Sequence, residues 1–74
     1  MEVIIKKKEY LFSNPNDYFI YFDFFKTEHK TIVTDKVRKY LKVMDLEVGE
    51  KVDIIKNFQN SKQKFFIRGI IKNG

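Results

Sequence analysis

Residues Thr31 to Ile55, TIVTDKVRKYLKVMDLEVGEKVDII, constrain the fold more than any other stretch. The β-branched run Thr31-Ile32-Val33 stops at Thr34-Asp35, either of which can cap a helix by accepting a hydrogen bond from an unpaired backbone N–H. Val37, Tyr40, Leu41 and Met44 then recur at i, i+3, i+4 and i+7. That is the spacing of one apolar stripe, and it predicts a helix from Asp35 to Met44. Lys36, Arg38, Lys39 and Lys42 fall on the other side, giving the helix a basic solvent face. Gly49 suits a turn position that needs positive φ, and Val52-Asp53-Ile54-Ile55 begins a new strand.

The rest of the chain reads as strands around this unit. Glu2-Val3-Ile4-Ile5 opens a first strand that runs through Lys6-Lys7-Lys8 towards Tyr10-Leu11-Phe12. Three successive lysines send charge to both faces, which suits a strand edge or a phosphate-contacting patch. Ser13-Asn14-Pro15-Asn16-Asp17 is a loop by its turn residues. Tyr18 to Phe25, YFIYFDFF, alternates as a strand: Tyr18, Ile20, Phe22 and Phe24 face one way, Phe19, Tyr21, Asp23 and Phe25 the other. Both faces are aromatic and both need cover. One is expected to pack inside, leaving Phe19, Tyr21 and Phe25 to form a dimer or partner interface, or a platform on which unpaired bases stack. Lys26 to Lys30, KTEHK, reads as a polar turn. Val52 to Lys56 and Lys64 to Lys72 read as a hairpin joined by the polar loop Asn57 to Gln63. In its second strand Phe66, Arg68 and Ile70 share a face. Arg68 is therefore set either for a two-pronged contact with an anion or a guanine edge, or for a cross-strand pair with Asp53.

The fold class expected is α+β: a small single domain over residues 1–74, mostly antiparallel β-sheet with one amphipathic helix, in the order β-β-β-α-β-β. A chain of 74 residues buries only about 60% of its unfolded surface, so its own core leaves it marginal. It has no cysteine for disulfides and a single histidine, His29, too few for a zinc site of imidazoles. No cofactor and no metal are expected. Eight Phe and four Tyr are a heavy aromatic load for so little interior, and a homodimer is the expected form. No run approaches the roughly 18 apolar residues that span a bilayer, and MEVIIKKKEY lacks the pattern of a signal peptide. A cytoplasmic location follows, the host cytoplasm if the chain is phage-encoded. The abundance of Lys, Ile, Phe and Asn with no Ala points to an A/T-rich genome, as in low-G+C bacteria and their phages.

From Ile20 to Lys72 the order of elements resembles the swapped-hairpin DNA-binding domains of the AbrB, SpoVT and MazE class. The residues that carry the resemblance are TIVTDKVRKYL, LEVGEKVDII and FFIRGII. Val33-Thr34 stands where that family has isoleucine–proline, and Lys30 where it has an arginine. The N-terminal strand lies outside the match. The resemblance implies an intertwined dimer that binds DNA through basic residues near the first turn, here Lys26, Lys30 and Arg38.

An enzyme is not expected: no nucleophile has a base, and there is no glycine-rich loop or metal cluster. Two classes remain. A net charge of +5 fits a basic DNA-binding regulator acting as a dimer, touching phosphates through Lys6, Lys7, Lys8, Lys26, Lys30, Arg38, Lys39, Lys42 and Arg68. Lysine is a point charge, so such binding is salt-dependent and poorly selective unless Arg38, Arg68, Asn57 or Asn60 reads bases. The alternative is a phage-encoded host-takeover inhibitor that binds a host replication or transcription protein, for example the sliding clamp, and blocks its access to DNA. An aromatic surface beside an arginine has the composition of an interface hot spot.

Overall fold

The computed structural model describes residues 1–59 and 62–71, and within these the chain is α+β, with six strands in two antiparallel sheets and one helix. The strands are β1 (Glu2–Ile4), β2 (Lys7–Tyr10), β3 (Tyr18–Phe24), β4 (Thr27–Val33), β5 (Lys51–Gln59) and β6 (Lys62–Ile71), with α1 (Asp35–Leu41) between β4 and β5. One sheet has the order β1-β5-β6, the other β2-β3-β4. The expected first strand is thus two strands. Ile5 N–H still donates to Glu50 O in the first sheet at 3.0 Å, while Lys6 N–H donates to Tyr21 O in the second at 2.8 Å. The chain bends between them and the inward parity slips: Ile5 points in, Lys6 and Lys7 point out, and Lys8 pairs with the buried Ile20. At the far edges β4 approaches β6, where the Thr31 hydroxyl donates to Phe65 O at 2.8 Å. Counting β1 and β2 as one bent strand, the sheets form a five-stranded barrel with a seam between β4 and β6.

The core is the space between the sheets. Val3, Ile5, Tyr18, Ile20, Phe22, Val33, Leu46, Val52, Ile54, Phe65 and Ile67 are buried there. The alternation of β3 therefore resolves: Tyr18, Ile20 and Phe22 face in, and Phe19 and Tyr21 lie half-buried on the outside. Among the described residues no charged side chain belongs to the buried set.

Thr34 caps the helix, its hydroxyl accepting from Val37 N–H. The helix stops at Leu41, short of the expected Met44. Lys42 adopts the left-handed conformation (φ 59°, ψ 43°), its N–H reaching Lys39 O, while Val43 N–H reaches Arg38 O at 3.1 Å. These two bonds form a Schellman closure, a geometry usually given to glycine. Val37 and Leu41 pack on the core, whereas Tyr40 and Met44, expected beside them, are 69% and 96% exposed. Gly49 takes φ 97° as its turn requires, and its N–H closes onto Ile5 O at 2.8 Å.

Two connections are shorter than the polarity of their sequences suggests. Lys26–Lys30 is no open turn: β4 begins at Thr27, and Phe25 and Lys26 alone join it to β3. Both have positive φ (51° and 64°), the signature of a type I′ hairpin turn. The ladder of β5 and β6 likewise continues through the expected loop to the pair Gln59–Lys62; Asn60 and Lys72 lie outside the described residues. Asp53 pairs with Gly69 and Ile54 with Ile67, leaving Arg68 as the extra residue of a bulge. The bulge reverses parity beyond it. Ile70, expected on the face of Phe66, instead pairs with Val52 and packs on the core.

Candidate functional site

The outer face of the second sheet is built in rows by register. Lys7, Tyr21 and Lys30 are cross-strand neighbours, as are Glu9, Phe19 and Ile32. Because the rings alternate with lysines, the ammonium groups settle over them. Lys30 Nζ lies 4.4 Å from the Phe19 centroid, and Lys7 Nζ 4.9 Å from that of Tyr21. The Tyr21 hydroxyl donates to Glu9 at 2.9 Å, and that bond to a carboxylate raises its pKa.

This face runs into a groove along the seam, between β4, α1 and β6, with a volume of about 900 Å³. Its apolar lining includes Phe19, Ile32, Val37, Tyr40 and Phe66, and Lys30, Lys36 and Lys64 stand along it. Tyr40 is 69% and Phe66 41% exposed, so both rings are open to a ligand. His29 also lines the groove, its ring 4.7 Å from that of Phe65. Among the described residues the one carboxylate in the lining, Glu28, is already paired with Lys6 at 3.1 Å.

The sequence-predicted contacts separate into free and committed groups. Lys6 bridges Asp23 and Glu28. Lys8, whose side chain is only 9% exposed, bonds Asp45 at 2.9 Å and lies 4.2 Å over the Tyr18 ring. Arg38 is not on the solvent face; it is half-buried, bonds Asp35 and stacks 5.4 Å from the Tyr18 centroid. Arg68 is exposed and lies 3.9 Å from Asp53, the cross-strand partner expected as one of its two options. Lys7, Lys26, Lys39 and Lys42 are exposed, Lys26 on the Phe25–Lys26 turn and Lys42 at the helix terminus. Of the expected interface residues, Phe19 lines the groove, Tyr21 lies beside it, and Phe25 is on that turn, 78% exposed. Sequence reasoning missed Ile32, Tyr40, Lys64 and Phe66 as site residues. Tyr40 was hidden by its fit to the apolar stripe.

Lys8, Tyr18, Asp45 and Arg38 form a polar knot that fastens β2 and the segment after α1 to the barrel. The Tyr18 hydroxyl donates to Asp45 and accepts from Leu46 N–H at 3.0 Å. Burial disfavours the Asp45 carboxylate, but hydrogen bonds from Lys8, Tyr18 and Leu46 N–H outweigh it and hold the pKa down at about 2. Burial likewise raises the Tyr18 pKa, and the bond to Asp45 adds to it. The folded pKa of Asp45 lies below the ordinary 3.8. Its contribution is therefore present above the unfolded value and lost as pH falls through the folded one. Melting temperatures measured between pH 4 and pH 2 should fall, and Asp45→Asn should flatten that part of the profile, since 3.8 and about 2 bound the window.

Among the described residues no group of three or more His, Cys, Asp or Glu is placed to hold a metal ion, and no helix is long and apolar enough to cross a membrane. Compared with known protein families, curated proteins and solved structures, the chain matches none.

Proposed function

We propose that the chain is a non-enzymatic, basic nucleic-acid-binding protein whose ligand is a single strand of DNA held in the β4–α1–β6 groove. The observation that carries this reading is the interleaving of open rings, Tyr40 and Phe66, with Lys30, Lys36 and Lys64 along one groove. Unpaired bases stack on aromatic faces regardless of sequence, and lysines track the backbone beside them. Duplex DNA hides its bases and would engage only the cations. Several of the cations best placed by sequence for that role, Lys6, Lys8 and Arg38, are tied to carboxylates.

The connectivity adds to the argument by analogy. A five-stranded Greek-key barrel, one bent strand shared by both sheets and a helix between its third and fourth strands, is the arrangement of the oligonucleotide/oligosaccharide-binding fold. That fold uses the outer face of its second and third strands for ligand, here β3 and β4 with Phe19, Tyr21, Lys30 and Ile32. Fold alone does not set function; the composition of that face does more. A homodimer, the form its small size favours, would present two such grooves.

A specific observation also favours the second reading, an inhibitor or adaptor that binds a host replication or transcription protein. Ile55 and Phe66 are direct cross-strand partners on the outside of the first sheet, 42% and 41% exposed. An exposed apolar pair of this kind suits a protein partner.

The two readings are separated by NMR titration of the labelled protein with oligothymidylate of about 12 nucleotides, within the usual site sizes of such barrels. The proposed function predicts amide shifts concentrated in β4, α1 and β6. Absence of shifts at low salt would reject it and leave the protein-binding reading.

A further inference from the structure

The hairpin turn between β3 and β4 is built against the usual rule. A two-residue type I′ turn needs positive φ at both positions and normally takes Asn-Gly or Asp-Gly. Here the residues are Phe25 at φ 51° and Lys26 at φ 64°. Packing does little to offset this, since Phe25 is 78% exposed and meets Phe24 edge-on at 4.6 Å. Lys26 is exposed as well, and no carboxylate lies within ion-pair distance of it among the described residues. Backbone strain of this kind clusters at ligand-binding sites.

The turn is linked to the groove through the neighbouring Phe24. Phe24 packs against His29 and Phe65, with ring centroids 6.0 and 5.2 Å apart, and both of those line the groove. Lys56 Nζ lies 5.6 Å from the Phe24 ring. β4 starts at this turn and ends at the cap of α1, so the turn and the helix sit at opposite ends of the strand. Seven residues separate them, a span of roughly 20 Å at strand rise.

We infer that the Phe25–Lys26 turn is a second contact point for the same strand of nucleic acid, Phe25 stacking on a base and Lys26 meeting a phosphate. The inference rests on the groove reading and extends its footprint along β4. A strand long enough to reach from the helix end to the turn gains this contact; a shorter one does not.

The test is the double variant Phe25→Asn, Lys26→Gly, measured for melting temperature and for anisotropy of labelled oligothymidylates of about 4 and about 12 nucleotides. The variant should melt at a higher temperature than the wild type, because the turn residues now fit the turn. It should bind the longer oligonucleotide about tenfold more weakly and the shorter one unchanged, the loss of one stacked base and one phosphate. Phe25→Leu, which keeps bulk at the turn without a ring, should weaken binding of the longer strand without the gain in melting temperature. A stabilised Asn-Gly variant that binds the longer strand as the wild type does would overturn the turn contact while leaving the groove intact. A wild type that binds neither oligonucleotide would overturn the groove and the turn together.

Discussion

Replacing Tyr40 and Phe66 together by alanine should abolish most of the affinity for single-stranded DNA while leaving the fold unchanged. Each ring is worth about 1–3 kcal/mol if a base stacks on it, so losing both should weaken binding by at least ~30-fold by the usual tenfold per 1.4 kcal/mol. Both side chains are substantially exposed, at 69% and 41%, and neither belongs to the buried core. Truncating exposed side chains away from special features changes stability by about 0.5 kcal/mol or less. Anisotropy and thermal melting on the same preparation separate the two effects. A variant that keeps wild-type affinity would show that bases do not stack there.

The largest effect on stability should come from Phe22→Ala. Phe22 is fully buried, and its ring meets Phe65 of the opposite sheet edge-on at 5.4 Å. It therefore joins the two sheets across the core. Removing a buried phenylalanine ring costs about 3–5 kcal/mol, from lost transfer energy and the cavity left behind. A domain of 74 residues has a total stability of roughly 4–11 kcal/mol at ordinary values per residue. The variant should therefore lose about a quarter or more of the wild-type stability in urea. Phe22→Leu, which refills much of the space, should lose clearly less. Equal losses in the two variants would mean that the ring does not span the sheets as described.

Local signals in the sequence were legible where one residue type decides the geometry. A cap at Thr34 or Asp35, the Gly49 turn, the grouping of Tyr18, Ile20 and Phe22 on one face, and the α+β class follow from capping, positive φ and alternation; which face of β3 turns inward does not, because both are aromatic. What escaped is what depends on an unusual residue in a turn or on a parity change. Lys42 and the Phe25–Lys26 pair hold positive φ without glycine or asparagine, so neither the end of the helix nor the tight hairpin announced itself. The bulge at Arg68 and the bend after Ile5 each insert one residue into the alternation. They carry Ile70 to the core and Lys8 inward, against a simple reading of period two.

The candidate site was less legible than the fold for a related reason. Its groove combines Phe19 and Lys30 from the second sheet, Lys36 and Tyr40 from the helix, and Lys64 and Phe66 from the last strand. No window of sequence contains them together, and only the closing of the barrel at the β4–β6 seam does so. The lysine triplet Lys6-Lys7-Lys8, conspicuous in the sequence, contributes two lysines to internal ion pairs.

On the proposed function, single strands bind through stacked bases and a few lysines. The affinity of the wild type for a single-stranded oligonucleotide and for its duplex, across about 50 to 200 mM salt, decides the matter. Phosphate contacts from Lys30, Lys36 and Lys64 predict a slope of log affinity against log salt of about −2 for the single strand. Stacking predicts that the single strand is preferred throughout, and that binding survives at the higher salt. Equal or tighter binding of the duplex, or no binding of the single strand at low salt, would contradict it.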